Sequence, residues 1–377
     1  MHTKEALPLL AGLSPQQFMK RHWQKKPLLV RGALPGFEPV LDRAALFELA
    51  SRDEVESRLV AHNGKKGWSF RRGPFSRRGL PPLSQRGWSL LVQGVDLHEP
   101  RAHELLQRFS FMPHARLDDL MVSYASDGGG VGPHFDSYDV FLLQAQGQRR
   151  WRYGRQKDLS LRGDVPLKIL ASFEPEEEHV LEPGDMLYLP PGYAHDGMAQ
   201  GECQTYSIGF RSPARGELAR ELLQRLSEDA GDAVGESLYK DPNQAATEAP
   251  GEIPRELARF AQDALRAALK DPLAVERALG EYLTDPKANV WFESQDVKGA
   301  IATLVLDRRT RMMYDAKHVF INGESYRAAG RDAALMRSLA DSRELGPREL
   351  AKASEDARSL LRSWCEAGWA HPRKATR

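Results

Sequence analysis

Hydrophobic positions along the chain fall into two regimes that meet near residue 212. Before that point, short apolar runs alternate with Gly/Pro turns. Ser14-Pro15-Gln16-Gln17 places a capping residue, a Pro at the first helical position and a Gln at the third, so a helix starts there and carries Phe18 and Trp23. Lys26-Pro27-Leu28-Leu29-Val30-Arg31-Gly32 reads as a strand ended by glycine. From Met121 to Phe210 strand signals are dense: Met121–Ala125, Val140–Gln144, Arg149–Tyr153, Met186–Leu189 and Thr205–Phe210. Between them lie Gly128-Gly129-Gly130, Gly147, Glu182-Pro183-Gly184-Asp185 and Pro190-Pro191-Gly192. Many short strands at this spacing predict a sandwich or barrel.

After Ser212-Pro213 the period becomes helical. Leu218, Leu222 and Leu226 recur every four residues, as do Leu257, Ala261, Leu265 and Leu269 beyond the polar stretch Asp241–Glu252. Two amphipathic helices that follow a complete β domain must bury their stripes against the next domain or against a second copy of the chain. From about Asn289 the texture is mixed. Val319-Phe320-Ile321, Asn322-Gly323 and Ser325-Tyr326 predict a hairpin. A helix around Leu335, Met336 and Leu339 follows, then a turn at Leu345-Gly346-Pro347. One further helix is predicted to carry Leu350, Leu360, Leu361 and Trp364 and to end at Gly368-Trp369, ahead of a basic tail, Arg373–Arg377. Helix, turn, helix and basic tail resemble a small winged-helix module.

Length and composition narrow the class. At roughly 150 residues per domain, 377 residues make two or three domains, and 41% hydrophobic with 28% charged residues is a globular balance. No run reaches the roughly 18 apolar residues that a membrane span needs. The apolar stretch around Leu7–Leu13 runs into Lys20, Arg21, Lys25 and Lys26 without a cleavage pattern, so a cytoplasmic protein is expected. Cys203 and Cys365 are the only cysteines, which excludes a disulfide framework and leaves metal binding to His and carboxylate. A net charge of +1 argues against uniform coating of nucleic acid.

Chemistry concentrates around His134-Phe135-Asp136, between a glycine-rich loop and the strand-like Tyr138–Gln144. Residues two apart on a strand share a face, so His134, Asp136 and Tyr138 project together. His195 follows 61 residues after His134, just past the Pro-Pro-Gly turn. Two imidazoles and one carboxylate make the facial triad that leaves positions open on a non-haem Fe(II). A His-x-Asp tripeptide alone is common, with a turn histidine and a capping Asp as its ordinary meaning. The glycine approach, the strand beyond and the second His after an apolar strand and turn favour the metal.

These residues, with the Glu182–Gly192 run, resemble the Jumonji-type cupin oxygenases. The chain is closer still to the bacterial ribosomal oxygenases through Asp118-Asp119-Leu120-Met121, Val131–Phe141, Arg149-Arg150-Trp151-Arg152 and Tyr206-Ser207-Ile208-Gly209-Phe210. The resemblance covers most of the chain. It implies a mixed α and β protein: a double-stranded β-helix over residues 1–212, a helical dimerisation region over 213–288 and a winged-helix domain over 289–377. It further implies Fe(II), 2-oxoglutarate and O₂, a homodimer, and hydroxylation of an arginine in the sixteenth protein of the large ribosomal subunit.

2-Oxoglutarate chelates iron through its keto acid end, so its far carboxylate needs a cation, ideally the planar fork of an arginine. Arg149 lies 13 residues past Asp136, one strand and one Gln146-Gly147-Gln148 turn later, and is expected to return to the same pocket while Arg150 faces away. Ser123 is carried over from the family as a hydroxyl partner of that carboxylate. Met121 and Asp119 share its strand face. Tyr138 and Met121 are candidates to sandwich a substrate stem, or ordinary core residues. Asp119 and Ser207 are candidate acceptors for a guanidinium, although an aspartate in such a place more often caps or turns than binds substrate.

Glu174, Glu176, Glu177 and Glu178 suit a basic partner or a solvated loop. Between His62 and Val95 no acidic residue occurs, while Lys65, Lys66, Arg71, Arg72, Arg77, Arg78 and Arg86 alternate with Trp68, Phe70, Phe75 and Trp88. This suits ribosomal RNA or a plain basic surface. Histidine in place of arginine as the hydroxylated residue, a non-oxidative metal cupin and a ligand-sensing regulator remain the rival readings.

Overall fold

The structure is a computed structural model that describes residues 3–62, 64, 67–327 and 329–373. Lys65, Lys66 and Lys374–Arg377 lie outside the described residues. The chain divides into two units, Met1–Ser212 and Pro213–Arg377.

In the first unit, α1 (Pro15–Arg21), α2 (Arg43–Leu49) and α3 (Pro100–Gln107) accompany ten strands. These are β1 (Leu28–Val30), β2 (Ser57–His62), β3 (Trp68–Arg72), β4 (Trp88–Val92), β5 (Leu117–Ala125), β6 (His134–Phe135), β7 (Asp139–Gly154), β8 (Glu177–Leu181), β9 (Met186–Leu189) and β10 (Ala194–Phe210). The order is β1-β9-β7-β10-β5-β4-β2-β3, with β6 added on β10 and β8 on β7. The predicted N-cap is present: Ser14 Oγ accepts from Gln17 N, and Gln17 Oε1 accepts from Ser14 N.

One expectation fails instructively. Val140–Gln144 and Arg149–Tyr153 are halves of a single strand, not two strands joined by a turn. The first half of β7 pairs with β9 and with Thr205–Phe210, and the second with β8 and with Ala194–Gln200. Where the register of β10 slips, between Gln200 and Thr205, Gly147 has φ +62° and its α-carbon lies against the Glu202 carbonyl. Glycine here makes a bulge that lets a long strand bend from one sheet to the facing one. Both long strands run through this bulge, β10 pairing with β7 on either side of it.

β7 is buried on both faces. Phe141 and Leu143 pack outward with Phe18, Phe109, Tyr188 and Phe210, while Val140 and Leu142 join Trp151, Leu187 and Leu189 in a separate inner cluster. Burial on both sides explains why this stretch reads as a continuous apolar run.

The second unit contains α4 (Arg215–Glu228), α5 (Ala230–Val234), α6 (Arg255–Ala268) and α7 (Ala274–Thr284), followed by β11 (Thr303–Leu306), β12 (Met312–Tyr314), β13 (His318–Ile321) and β14 (Glu324–Arg327). Then come α8 (Gly330–Ser342), β15 (Glu344–Leu345), α9 (Pro347–Leu350), α10 (Glu355–Glu366) and β16 (Ala370–Arg373). The Asn322-Gly323 hairpin forms, with φ +49° and +88°. The single helix expected from Leu350 to Trp364 is two, because Ser354, held by Asp332, caps a new helix through Ala357 N. Leu345 belongs to a short strand beside β11, and Arg373 ends β16 on the other side of β11. Leu218, Leu222 and Leu226 are half-buried, whereas Leu257, Leu265 and Leu269 on and beside α6 are exposed.

Candidate active site

β6 and β10 put His134 directly opposite His195, with ring centroids 4.2 Å apart. Asp136 follows β6, and its Oδ2 lies 3.7 Å from His195 Nε2. One ligating atom from each of the three lies within 4.8 Å of the others, the one such metal-ligand group among the described residues. Each imidazole is oriented from behind, since His134 Nδ1 meets the Gly132 carbonyl at 2.9 Å and His195 Nδ1 meets that of Tyr193 at 3.0 Å. Nδ1–H donation leaves both Nε2 lone pairs aimed at the shared centre. Burial pushes His195 down to about 4, and neighbouring His134 pushes the same way, so this ring is a neutral donor.

The triad opens into a cavity of about 430 Å³. Met121 and Ser123 from β5, Thr205 and Ser207 from β10, Arg149 and Trp151 from β7, and Tyr138 line its walls. Ser207 is the cross-strand neighbour of Met121, and Thr205 of Ser123.

Arg149 is 5% exposed; its terminal nitrogens lie 3.4 Å from Ser123 Oγ, its guanidinium lies over the Trp151 ring at 5.7 Å, and its Nε has no hydrogen-bond partner among the described residues. Its neighbours differ. Arg152 pairs with Asp196 at 2.5 Å, and Arg150 faces Glu178 at 3.9 Å and Met198 sulfur at 3.7 Å. A buried guanidinium without a carboxylate is costly, and it shares a cavity with a metal-ligand triad. The donor set fits Fe(II), and the buried cation fits a co-substrate carboxylate.

Other residues stand differently from the sequence reading. Asp119 is buried outside the cavity lining, and its Oδ2 accepts from Gln93 Nε2 and Gly94 N, each at 2.9 Å. Within 62–95, Phe75 and Trp88 are core residues and cannot stack on bases. Phe70 and Arg72 wall the cavity with Arg58, and Lys168 approaches from a loop. Sequence reasoning missed these and Thr205, although Phe70 and Arg72 sit two apart on one strand and Thr205 sits two before Ser207.

A double-stranded β-helix with an inward His-Asp-His triad defines a JmjC-type oxygenase, and residues 104–218 match the JmjC domain family. Residues 265–371 match the ROXA-like winged helix. The chain is 37% identical over 279 residues to the ribosomal protein uL16 3-hydroxylase of Escherichia coli, covering 72% of this chain and 71% of the relative. It is 32% identical over 304 residues to a probable ribosomal oxygenase of Haemophilus influenzae, covering 80% and 71%. The E. coli ribosomal oxygenase YcfD superposes with a TM-score of 0.80 at 28% identity, covering 94% of this chain and 97% of that one. Its complex with cobalt and 2-oxoglutarate superposes with a TM-score of 0.77 at 29% identity, covering 95% and 98%. The chain belongs to the ribosomal oxygenases, which are Fe(II)- and 2-oxoglutarate-dependent enzymes. No described helix is long and apolar enough to cross a membrane.

Proposed function

We propose that this oxygenase hydroxylates an arginine side chain of a large-subunit ribosomal protein, uL16 by its likeness to the E. coli relative. His134, Asp136 and His195 hold Fe(II), while Arg149 and Ser123 hold the far carboxylate of 2-oxoglutarate. Bound there, the metal and co-substrate with O₂ supply an oxidation that puts one oxygen atom into a substrate C–H bond and the other into succinate, releasing CO₂. The protein positions the partners and excludes water. Met121 and Tyr138 flank the substrate stem, and Ser207 offers an acceptor. Asp119 supplies negative charge two residues from Met121, and a guanidinium reaching it competes with Gln93 and Gly94.

The observation that carries this reading is Arg149, a buried cation with no carboxylate partner among the described residues, beside the His134, Asp136 and His195 triad. The test is succinate release with Fe(II), 2-oxoglutarate and uL16, followed by mass spectrometry of the modified residue. His134→Ala and Asp136→Ala abolish turnover, and near-normal activity in both removes the triad assignment. A second reading, histidine as target, is favoured by the cations Arg58, Arg72 and Lys168, against Asp136 as the one carboxylate of the described lining. A gain of one oxygen on histidine decides for it. The exposed stripe of α6 supports a homodimer. Contact with ribosomal RNA through residues 62–95 falls to the exposed Arg71, Arg77, Arg78 and Arg86.

A further inference from the structure

A strand that lines the cavity is also the last strand of the sheet. β3 pairs with β2 and with nothing beyond it among the described residues. Which of its backbone groups face outward follows from two hydrogen bonds. Gly73 N donates to Ser57 O at 2.9 Å, so 57/73 is a hydrogen-bonded pair. The register Arg58↔Arg72, Val60↔Phe70 and His62↔Trp68 then makes these three the non-bonded pairs, because the two kinds alternate along an antiparallel ladder. The other side of β2 agrees: His62 N donates to Gly87 O at 2.8 Å, so His62, Val60 and Arg58 spend their backbone groups on β4 rather than β3. Trp68, Phe70 and Arg72 therefore direct their N–H and C=O groups away from the sheet.

The same three residues turn their side chains to the site. Phe70 and Arg72 line the catalytic cavity. Trp68 packs against Gly132, where an added Cβ would come within 3.0 Å of the indole, and the Gly132 carbonyl orients His134. The cavity thus has one wall that ends in an unpaired strand edge, and Val131 and Pro166–Lys168 belong to the same lining. Arg71, on the opposite face, is held by the Gly79 carbonyl and lies over Phe75, and no strand among the described residues covers the edge itself.

We infer that the outer edge of β3 receives an extended segment of the protein substrate as an added strand, paired through the backbone groups of Trp68, Phe70 and Arg72. The inference rests on the protein-hydroxylase reading and names how that substrate is held. Main-chain pairing supplies affinity without demanding a particular sequence, and side chains at every second position are presented toward or away from the cavity. The occupant is a peptide rather than a second copy because the edge is continuous with the cavity where a substrate side chain must enter.

The test uses the full chain with Fe(II), 2-oxoglutarate and a uL16 peptide spanning its hydroxylated residue. Single N-methyl groups are placed on successive peptide amides. Loss of one backbone hydrogen bond raises KM about two- to tenfold, and the expected pattern alternates, with every second amide on one side of the target sensitive and those between indifferent. Amide hydrogen exchange without turnover, under anaerobic conditions, is expected to slow at Phe70 and Arg72 when the peptide binds. A flat N-methyl profile with unchanged exchange at both amides, while the unmodified peptide is hydroxylated, overturns the added strand and spares the hydroxylase reading. Protection present without peptide and rising with protein concentration assigns the edge to a second copy and overturns it too. Consumption of 2-oxoglutarate with the peptide neither bound nor modified removes the substrate reading, and this inference with it.

Discussion

A guanidinium buried without a counter-ion is a standing cost to the folded chain, and Arg149 carries that cost. Arg149→Met is therefore expected to leave the co-substrate-free protein as stable as before or more so. 2-Oxoglutarate, in turn, no longer raises its Tm. Arg149→Ala raises the 2-oxoglutarate requirement roughly ten- to a hundredfold, from a charge-assisted bond of about 1.5–3 kcal/mol, with metal affinity unchanged. An unaltered requirement in a titration of succinate release would transfer the task to another cation. Arg152 and Arg150 already face carboxylates. The grouping of His134, Asp136 and His195 was legible from the His-x-Asp spacing and the Pro-Pro-Gly turn before the second His, whereas Arg149 reaches the cavity along one unbroken strand and not through the turn expected at Gly147. The particular partners of Asp119 were not legible, since Gln93 and Gly94 come from a segment 25 or more residues away that no periodicity links to it.

At the level of elements, glycine misled where it sits inside a strand. Gly147 has the signature of a turn, but two long strands cross both sheets there, and the positive φ serves a bulge. Only the partner strand distinguishes the two, and partners are not written in a local pattern. Ser354 is the mirror case: a capping residue inside an apolar helical period, whose meaning is fixed by Asp332 on α8. Gly147→Ala is expected to lose at least about 1–2 kcal/mol from the left-handed backbone alone, and more from the Cβ that would meet the Glu202 oxygen. Urea unfolding measures this, and a change under half a kcal/mol would mean the bulge relocates. The strand face expected to carry His134, Asp136 and Tyr138 shrinks to the two residues of β6, with Asp136 and Tyr138 in the turn that follows.

Across the whole molecule, the two apolar stripes seen in sequence meet different fates. That of α4 is half-buried within its own unit, whereas Leu257, Leu265 and Leu269 stay exposed, with Leu265 69% accessible. The twofold assembly is therefore expected to depend on α6. Leu265→Glu with Leu257→Glu yields a monomer by light scattering, whereas Leu222→Glu lowers stability whether or not assembly changes. A wild-type monomer at micromolar concentration would leave the stripe without that role. The pairing of His134 with His195 also bears on how the protein comes into being. Two ligands lie at residues 134 and 136, and the third is added only 59 residues after the second. A chain still being synthesised, or one cut short before β10, offers iron only His134, on a two-residue strand that lacks its β10 partner, and Asp136 just beyond it. The strand that carries His195 is thus expected to complete the metal centre only when the walls around it are already in place, and a truncated chain is expected to hold Fe(II) more weakly than the whole one.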